Sequence, residues 1–105
     1  MIYKVVVTPE AEEGLRDAYL FIGRDSVDAA RRWSKGARRS LRALSRFPAR
    51  CSLAPESREF DRPIRELFYG SGNRGTYRIL FTIIDRTVFV LHVRHGSMQP
   101  LLTED

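Results

Sequence analysis

The stretch TYRILFTIIDRTVFVLHVRH, residues 76–95, decides the fold of this chain. It holds two runs of β-branched and aromatic residues, separated by the polar pair Asp85-Arg86, and neither run contains a proline. Such residues favour a pleated, half-buried surface, and a proline would remove one of the hydrogen-bond donors between strands. The stretch therefore predicts an antiparallel β-hairpin.

The register of this hairpin decides which side chains share a face of the sheet. If the loop is even in length, Ile84 faces Thr87, and the pairing places Arg78 and His95 on one face. The other face then holds Tyr77, His92 and Arg94. A one-residue bulge would change this assignment.

Length and composition indicate a single soluble domain. The chain has 105 residues, of which 43% are hydrophobic and 30% charged, enough apolar material for one compact core. We therefore expect one domain spanning residues 1–105. No apolar run reaches the roughly 20 residues that span a bilayer, and the N-terminus lacks the basic and apolar regions of a signal peptide. Because Cys51 is the only cysteine, no internal disulfide forms, and a cytoplasmic location away from membranes is expected.

The positive charge of the chain is concentrated in one segment. Residues 26–50 hold eight basic residues and one acidic residue, whereas residues 1–25 are net acidic and residues 51–105 are balanced. A basic surface of this kind attracts nucleic acid or an acidic protein, and charge alone does not choose between them.

The N-terminal half predicts a strand followed by two helices. The apolar run 2–7 is typical of a strand. Thr8 then suits the N-cap and Pro9 the first position of a helix. Ser26 suits the N-cap of a second helix, which meets no breaker until Pro48. Because few residues join the two helices, we expect them to pack as an antiparallel hairpin.

The second helix separates apolar from basic residues. Its buried stripe is predicted to comprise Ala30, Trp33, Ala37, Leu41, Leu44 and Phe47. Its remaining surface carries Arg31, Arg32, Lys35, Arg38, Arg39, Arg42 and Arg46. These basic residues form either a solvated surface whose alkyl stems cover apolar neighbours, or a binding site for an acidic partner or nucleic acid. The candidates for binding a target or a partner are Arg31, Lys35, Arg38 and Arg42.

The C-terminal half predicts three antiparallel strands after a long loop. Residues 48–62 are polar and turn-rich, and loops of this length are often functional or stabilised by their own side chains. Residues 63–69 alternate as a strand, and residues 70–75 connect it to the hairpin. The order β-α-α-β-β-β predicts an α+β domain in which a two-helix hairpin covers one face of a mainly antiparallel four-stranded sheet. The other face is expected to be left for a partner or for chemistry.

Local motifs argue against several classes of site. The sequence GSGNRG at 70–75 lacks the following helix whose N-terminus would hold a phosphate. His92 and His95 are three residues apart in a strand, which sends them to opposite faces, and no cysteine or carboxylate lies beside them to complete a metal site. We expect neither a metal nor a cofactor.

Basic and proton-transferring residues gather on the C-terminal strands. The candidates for catalysis are Arg65, Arg78, Arg94 and His95. Tyr77, His92 and Arg74 lie nearby, and Tyr77 and Arg74 are further candidates for binding a target or a partner. Guanidinium groups bind phosphate bidentately and a histidine moves protons near neutral pH, which is nearly all that cleaving RNA through its 2′-hydroxyl needs. The alternative is structural: His92 packs in the core, and the arginines pair with Glu66, Asp61 or Glu59.

The chain as a whole resembles the RelE/ParE superfamily, the toxins of bacterial type II toxin–antitoxin modules, often described as plasmid stabilisation proteins. The similarity spans residues 2–97 in the order of the family. The segments that carry it are VVVTPEAEEGLRDAYLFI, LRALSRFPARC followed by LAPES, IRELFYG, and YRILFTIIDRTVFVLHVRHGS.

The resemblance implies a RelE/ParE-like fold and a cytoplasmic growth inhibitor, which a cognate antitoxin wraps and neutralises in a hetero-oligomer. Contact with operator DNA would be indirect, through the antitoxin. ParE-like inhibition of DNA gyrase is the favoured activity, because the RHGS ending is similar to those toxins, which need no catalytic set. A RelE-like ribosome-dependent mRNA endoribonuclease is the alternative, although residues 51–105 lack the lysines on which RelE partly relies. A non-toxic family member that acts only as a binding partner is the third hypothesis.

Overall fold

The computed structural model describes residues 2–70 and 75–97 of the chain. Its main elements are β1 (Lys4–Val7), α1 (Pro9–Gly23), α2 (Val27–Ala43), β2 (Arg65–Tyr69), β3 (Tyr77–Ile84) and β4 (Thr87–His95). Two short 3₁₀ helices, Pro48–Arg50 and Pro55–Glu59, lie between α2 and β2. The predicted element order and the α+β class are confirmed.

The four strands form one mixed sheet in the order β1-β4-β3-β2. β2, β3 and β4 pair antiparallel, and β1 pairs with β4 in parallel. The sheet is therefore mainly antiparallel, as predicted, and the first strand lies at the edge beside the last.

Side-chain caps begin both helices, as the sequence predicts. Thr8 Oγ1 accepts a hydrogen bond from the Ala11 amide at 3.3 Å, and Ser26 Oγ accepts one from the Ala29 amide at 3.1 Å. Thr8 Oγ1 also donates to the Val90 carbonyl at 2.7 Å, which ties the start of α1 to β4. A cap of this kind stabilises a helix by about 1 kcal/mol.

The two helices pack their apolar stripes on one side of the sheet, which we call the helix-covered face. The buried residues there include Ala11, Leu15, Ala18, Ile22, Ala30, Trp33, Ala37, Leu41, Ile79, Phe81, Val88 and Val90. Gly14 sets how closely α1 approaches β4, because a Cβ at this position would clash with the backbone carbonyl of Val93. Only glycine permits this approach.

The prediction that Phe47 is buried is wrong. α2 ends at Ala43, and Phe47 is 74% exposed with a left-handed backbone (φ 48°). Pro48 disfavours the helical conformation in the residue before it, so the chain leaves the helical period before Phe47. The buried stripe of this segment ends at Leu44.

The β3–β4 hairpin is confirmed, but its predicted face assignment is wrong. Ile84 faces Thr87, as expected, and the register then shifts between Leu80 and Phe81. Leu91 is the additional residue that this β-bulge inserts in β4.

Beyond the bulge the paired residues differ from the even-loop prediction. Tyr77 pairs with His95, and Arg78 pairs with Arg94. Tyr77 belongs to the core beneath the helices, so His95 shares the helix-covered face with it. Arg78 and Arg94 therefore share the opposite face, together with His92, which pairs with Leu80.

The opposite face of the sheet is not left open, contrary to the prediction. The segment between α2 and β2 folds against it, and Ala54, Ile64 and Leu80 form a second buried cluster with Leu91 packed beside them. Leu53 also pairs with Arg65 at the edge of β2. We call this side the loop-covered face. The long connection is thus stabilised by its own side chains.

Candidate functional site

Arg78 lies on the loop-covered face, where two carboxylates bind it. Nη1 and Nη2 donate to Glu56 at 2.9 and 2.7 Å, and Nε and Nη2 donate to Glu66 at 2.9 and 2.8 Å. Arg78 is 6% exposed and Glu56 is 1% exposed. The hydrogen bonds that Arg78 donates to Glu56 are the main reason that the pKa of Arg78 is raised, so the guanidinium stays charged. We call these three residues the Arg78 triad.

The Arg78 triad argues against the predicted catalytic role of Arg78. Hydrogen bonds already occupy four of its five N–H donors. Breaking a buried ion pair leaves an uncompensated charge at a cost of about 3–5 kcal/mol. Arg78 instead pairs with Glu66, as the structural alternative expects. Glu56 was not identified from the sequence, because no local pattern links a loop carboxylate to a strand residue so far along the chain.

Arg65 is also used within the fold. Its Nη1 donates to the carbonyls of Cys51 at 2.6 Å and Ala49 at 3.3 Å, which fastens β2 to the preceding loop. Burial raises the pKa of the Cys51 thiol, which favours its protonated form. Arg65 pairs with Phe81, so it lies on the helix-covered face and holds the loop against the edge strand β2 there.

Arg94 and His95 line a groove between α1 and the end of β4. β1 pairs with β4 only as far as Val90, so the outer edge of residues 91–95 faces this groove. The groove encloses about 430 Å³, and its sheet side comprises Tyr77, His92, Val93, Arg94 and His95. Its helix side comprises Glu10, Glu13, Gly14, Asp17, Ala18 and Phe21. This α1–β4 groove thus has one basic wall and one acidic wall.

Aromatic packing fixes two of the predicted residues at the groove. The Tyr77 ring packs edge-on against Trp33 at 4.9 Å and against His95 at 5.1 Å between centroids. Burial raises the pKa of the Tyr77 hydroxyl, and only 5% of the residue is exposed. His95 Nδ1 accepts a hydrogen bond from the Ser97 amide at 3.1 Å. Tyr77 therefore supports the groove from below and offers little surface to a partner.

His92 lies half-buried beside the same groove. Burial is the main reason that its pKa is lowered; the charge of Arg94 adds to this, and Glu10 and Glu56 oppose it. His92 is therefore neutral at physiological pH. It also borders a cavity of about 450 Å³ on the loop-covered face, whose apolar lining includes Ile64, Leu80 and Leu91.

The second candidate site is the outer surface of α2 and the residues just after it. All seven basic side chains predicted there are exposed, namely Arg31, Arg32, Lys35, Arg38, Arg39, Arg42 and Arg46. We call this set the α2 basic face. Arg38 binds Glu12 at 2.8 Å, and this hydrogen bond lowers the pKa of Glu12 and raises that of Arg38.

Most of the α2 basic face has no carboxylate partner in the part of the chain that the structure describes. Across residues 2–70 and 75–97, no acidic side chain lies within ion-pair distance of Arg31, Lys35 or Arg42. A shallow cleft of about 350 Å³ is lined by Ser34, Lys35, Arg38, Arg39 and Arg42. The geometry of this cleft allows several cations and a hydroxyl to contact a single ligand.

The remaining sequence predictions concern Arg74, a metal site and a membrane-spanning segment. Arg74, a candidate for binding, lies outside the described residues. Within the described ranges, no group of three histidine, cysteine or acidic side chains is arranged to hold a metal ion. None of the helices described has the length and apolar character that crossing a bilayer requires.

The arrangement of this sheet and helical hairpin defines the fold class of the RelE/ParE toxins. The structure is similar to that of the chromosomal ParDE TA system from P. aeruginosa, with a TM-score of 0.68 and 14% identity over 90% of this chain and 96% of that chain. It is also similar to a mutant of the E. coli toxin RelE in the free state, with a TM-score of 0.61 and 17% identity over 92% of this chain and 86% of that chain.

The sequence identifies the family within this fold class. The family model of the ParE toxin of the type II toxin–antitoxin system, parDE, matches residues 5–100. The chain therefore belongs to the ParE toxin family, and the predicted RelE/ParE resemblance is confirmed. Comparison with curated proteins gave no match.

Proposed function

We propose that this chain inhibits cell growth as the toxin of a type II toxin–antitoxin module, with DNA gyrase as its target. A cognate antitoxin neutralises it in a cytoplasmic hetero-oligomer and supplies the contact with operator DNA. Membership of the ParE toxin family supports the toxin role, and the likeness to a ParDE system supports the antitoxin partner. Binding of target or antitoxin is assigned to Arg31, Lys35, Arg38 and Arg42, with Arg74 as a further candidate. Tyr77, of which only 5% is exposed, would act by supporting the groove rather than by contacting a partner.

The acidic wall of the α1–β4 groove is the observation that favours gyrase binding over RNA cleavage. Glu10, Glu13 and Asp17 line the groove that also contains Arg94 and His95. An RNA phosphate bound by Arg94 would lie near these carboxylates, and repulsion between like charges would oppose its binding. The engagement of Arg78 in its triad removes a further group from a catalytic set.

Ribosome-dependent cleavage of mRNA is the second candidate function. It is supported by the placement of Tyr77, Arg94 and His95 around a single groove, and by the likeness of the fold to RelE. In this case Arg94 would bind phosphate and His95 would transfer a proton. Arg65 and Arg78 would contribute only by holding the connection between α2 and β2 against the sheet.

Controlled expression of the chain without its antitoxin separates the two functions. The gyrase proposal predicts growth arrest with double-strand DNA breaks, and inhibition of supercoiling by purified gyrase, while transcripts stay intact. Cleaved transcripts on stalled ribosomes would instead establish the ribonuclease. Unimpaired growth with a folded, abundant chain would contradict both and identify a non-toxic family member.

His95→Ala supplies a variant that distinguishes the same two functions in the growth assay. Loss of a proton-transferring group reduces a catalytic rate by about 10²–10⁴-fold, so a ribonuclease would lose its toxicity. A gyrase-binding toxin keeps its growth arrest, because no reaction depends on this ring. Phe60→Ala, an exposed residue outside the groove, is the control for expression and handling.

A further inference from the structure

The α2 basic face lacks the apolar anchors that protein partners use. The cores of protein interfaces are depleted of charged residues, and a few large apolar or aromatic side chains supply most of the binding energy. Among the described residues, α2 exposes no large hydrophobic side chain after Val27, and the next one along the chain is Phe47. An acidic protein would therefore find charge and a shallow cleft on this surface, but among the described residues 28–46 no exposed large apolar side chain.

The spacing of the basic residues follows a line along the helix. Residues 31, 35, 38 and 42 are separated by three or four positions, which places them on one side of a helix with 3.6 residues per turn. At a rise of 1.5 Å per residue, this line is about 16 Å long. A strand of duplex DNA carries a phosphate about every 3.4 Å of helix axis, so the line spans about five phosphates.

The chemistry of the face also suits phosphate. Six of its seven basic residues are arginines, whose planar guanidinium groups bind phosphate oxygens in pairs. Lys35, Arg38 and Arg42 converge on the shallow cleft beside Ser34, where a hydroxyl adds a further hydrogen-bond donor. Because Glu12 is the one carboxylate that the described residues pair with this face, a bound polyanion would relieve the repulsion among its cations.

We propose that the α2 basic face binds the phosphate backbone of double-stranded DNA without sequence preference. This inference rests on the proposed function, because it makes gyrase in complex with DNA, rather than free gyrase, the target that the toxin engages. The contact is distinct from recognition of operator DNA, which is assigned to the antitoxin.

The salt dependence of binding to a labelled duplex of random sequence tests this proposal. Each phosphate contact contributes about −0.9 to the slope of log K against log salt concentration. Because Glu12 binds Arg38, contacts from Arg31, Lys35 and Arg42 predict a slope of about −2.7 for the wild type. The triple variant Arg31→Gln, Lys35→Gln, Arg42→Gln should make the slope shallower by about 2.7 and weaken binding at least tenfold at about 0.1 M salt.

A charge-matched variant separates this surface from the net charge of the protein. Arg24→Gln, Arg58→Gln and Arg86→Gln remove the same charge from exposed positions outside α2, and binding should stay within about twofold of the wild type. Glu12→Gln should act in the opposite direction, since it releases Arg38, and steepen the slope by about one unit. Cooperative unfolding of each variant verifies that it is folded.

Four results would overturn the proposal: no binding to the duplex, binding independent of salt, equal losses in the two triple variants, or tighter binding of a polyglutamate peptide of the same charge. The last result would assign the face to an acidic protein. A wild-type chain that binds DNA but does not inhibit gyrase would contradict the proposed function and leave this inference intact. Inhibition of gyrase without binding to DNA would contradict this inference and leave the proposed function intact.

Discussion

Arginines carry the same charge in two regions of this molecule and are used in different ways. Arg78 is buried between two carboxylates on the loop-covered face, whereas the α2 basic face is exposed and has Glu12 as its carboxylate partner in the described residues. The sequence marks both regions as candidates for binding or catalysis. The comparison teaches that nearby carboxylates, which the fold brings together, decide whether an arginine is available to a ligand.

The largest expected effect comes from breaking the Arg78 triad. Glu56→Ala should lower the free energy of unfolding by about 3–5 kcal/mol, because the charge of Arg78 stays buried without its main partner. Urea denaturation measures this change. The control is Glu59→Ala, an exposed acidic residue of the same loop, which should change stability by about 0.5 kcal/mol or less. Equal effects of the two substitutions would show that the triad does not hold the fold.

A steric contact on the helix-covered face should have an intermediate effect. Gly14→Ala should destabilise the chain by about 1–3 kcal/mol, although alanine favours an isolated helix, because its Cβ would clash with the Val93 carbonyl. Thermal unfolding measures the loss. Gly23→Ala is the matched control, since its Cβ would lie 3.7 Å from Ala30 Cβ, an ordinary contact. A stabilised Gly14→Ala variant would contradict the close approach of α1 to β4.

The exposed ion pair of the α2 basic face should contribute much less than the buried one. Glu12→Gln should lower the free energy of unfolding by about 0.2–1 kcal/mol, because water and salt screen the charges. At about 1 M salt, most of this difference in the free energy of unfolding should disappear. A loss as large as that of Glu56→Ala would remove the distinction between the two regions.

The smallest effect is expected from His92, and it depends on pH. Burial lowers the pKa of His92, so the folded state resists protonation while the unfolded state binds a proton below about pH 6.5. Stability should therefore fall as the pH drops from about 6.5 through the lowered pKa of the folded state. The effect is small because Glu10 and Glu56 oppose the shift. In the His92→Gln variant, stability should fall less over this pH range. An unchanged fall in stability would show that other titrating groups cause it.

Local patterns in the sequence predict most of this fold. Thr8 and Ser26 act as caps in the structure, and the β-branched runs form the hairpin, since caps and strand propensity depend on neighbouring residues. A one-residue bulge was an open alternative, but its place at Leu91 was not predicted, and Phe47 was predicted to be buried although it is exposed. The first depends on how two strands pair, and the second on where a helix ends before a proline.

The candidate sites were harder to predict than the fold, because they combine distant segments. At the start of a helix Glu10 and Glu13 are favourable charges, and the structure also places them across the groove from Arg94. Glu56 reaches Arg78 through a loop whose path the sequence does not specify. The α2 basic face was predictable because one helix carries nearly all of it.

One experiment tests most directly the division between structural and available arginines. The triple variant Arg31→Gln, Lys35→Gln, Arg42→Gln is measured both for its inhibition of gyrase supercoiling and for its free energy of unfolding. We expect its free energy of unfolding to differ from that of the wild type by no more than about 0.5 kcal/mol per substitution. The variant should no longer inhibit gyrase, while the charge-matched variant still does. Full inhibition by the α2 variant, or a loss of stability as large as that of Glu56→Ala, would contradict this account.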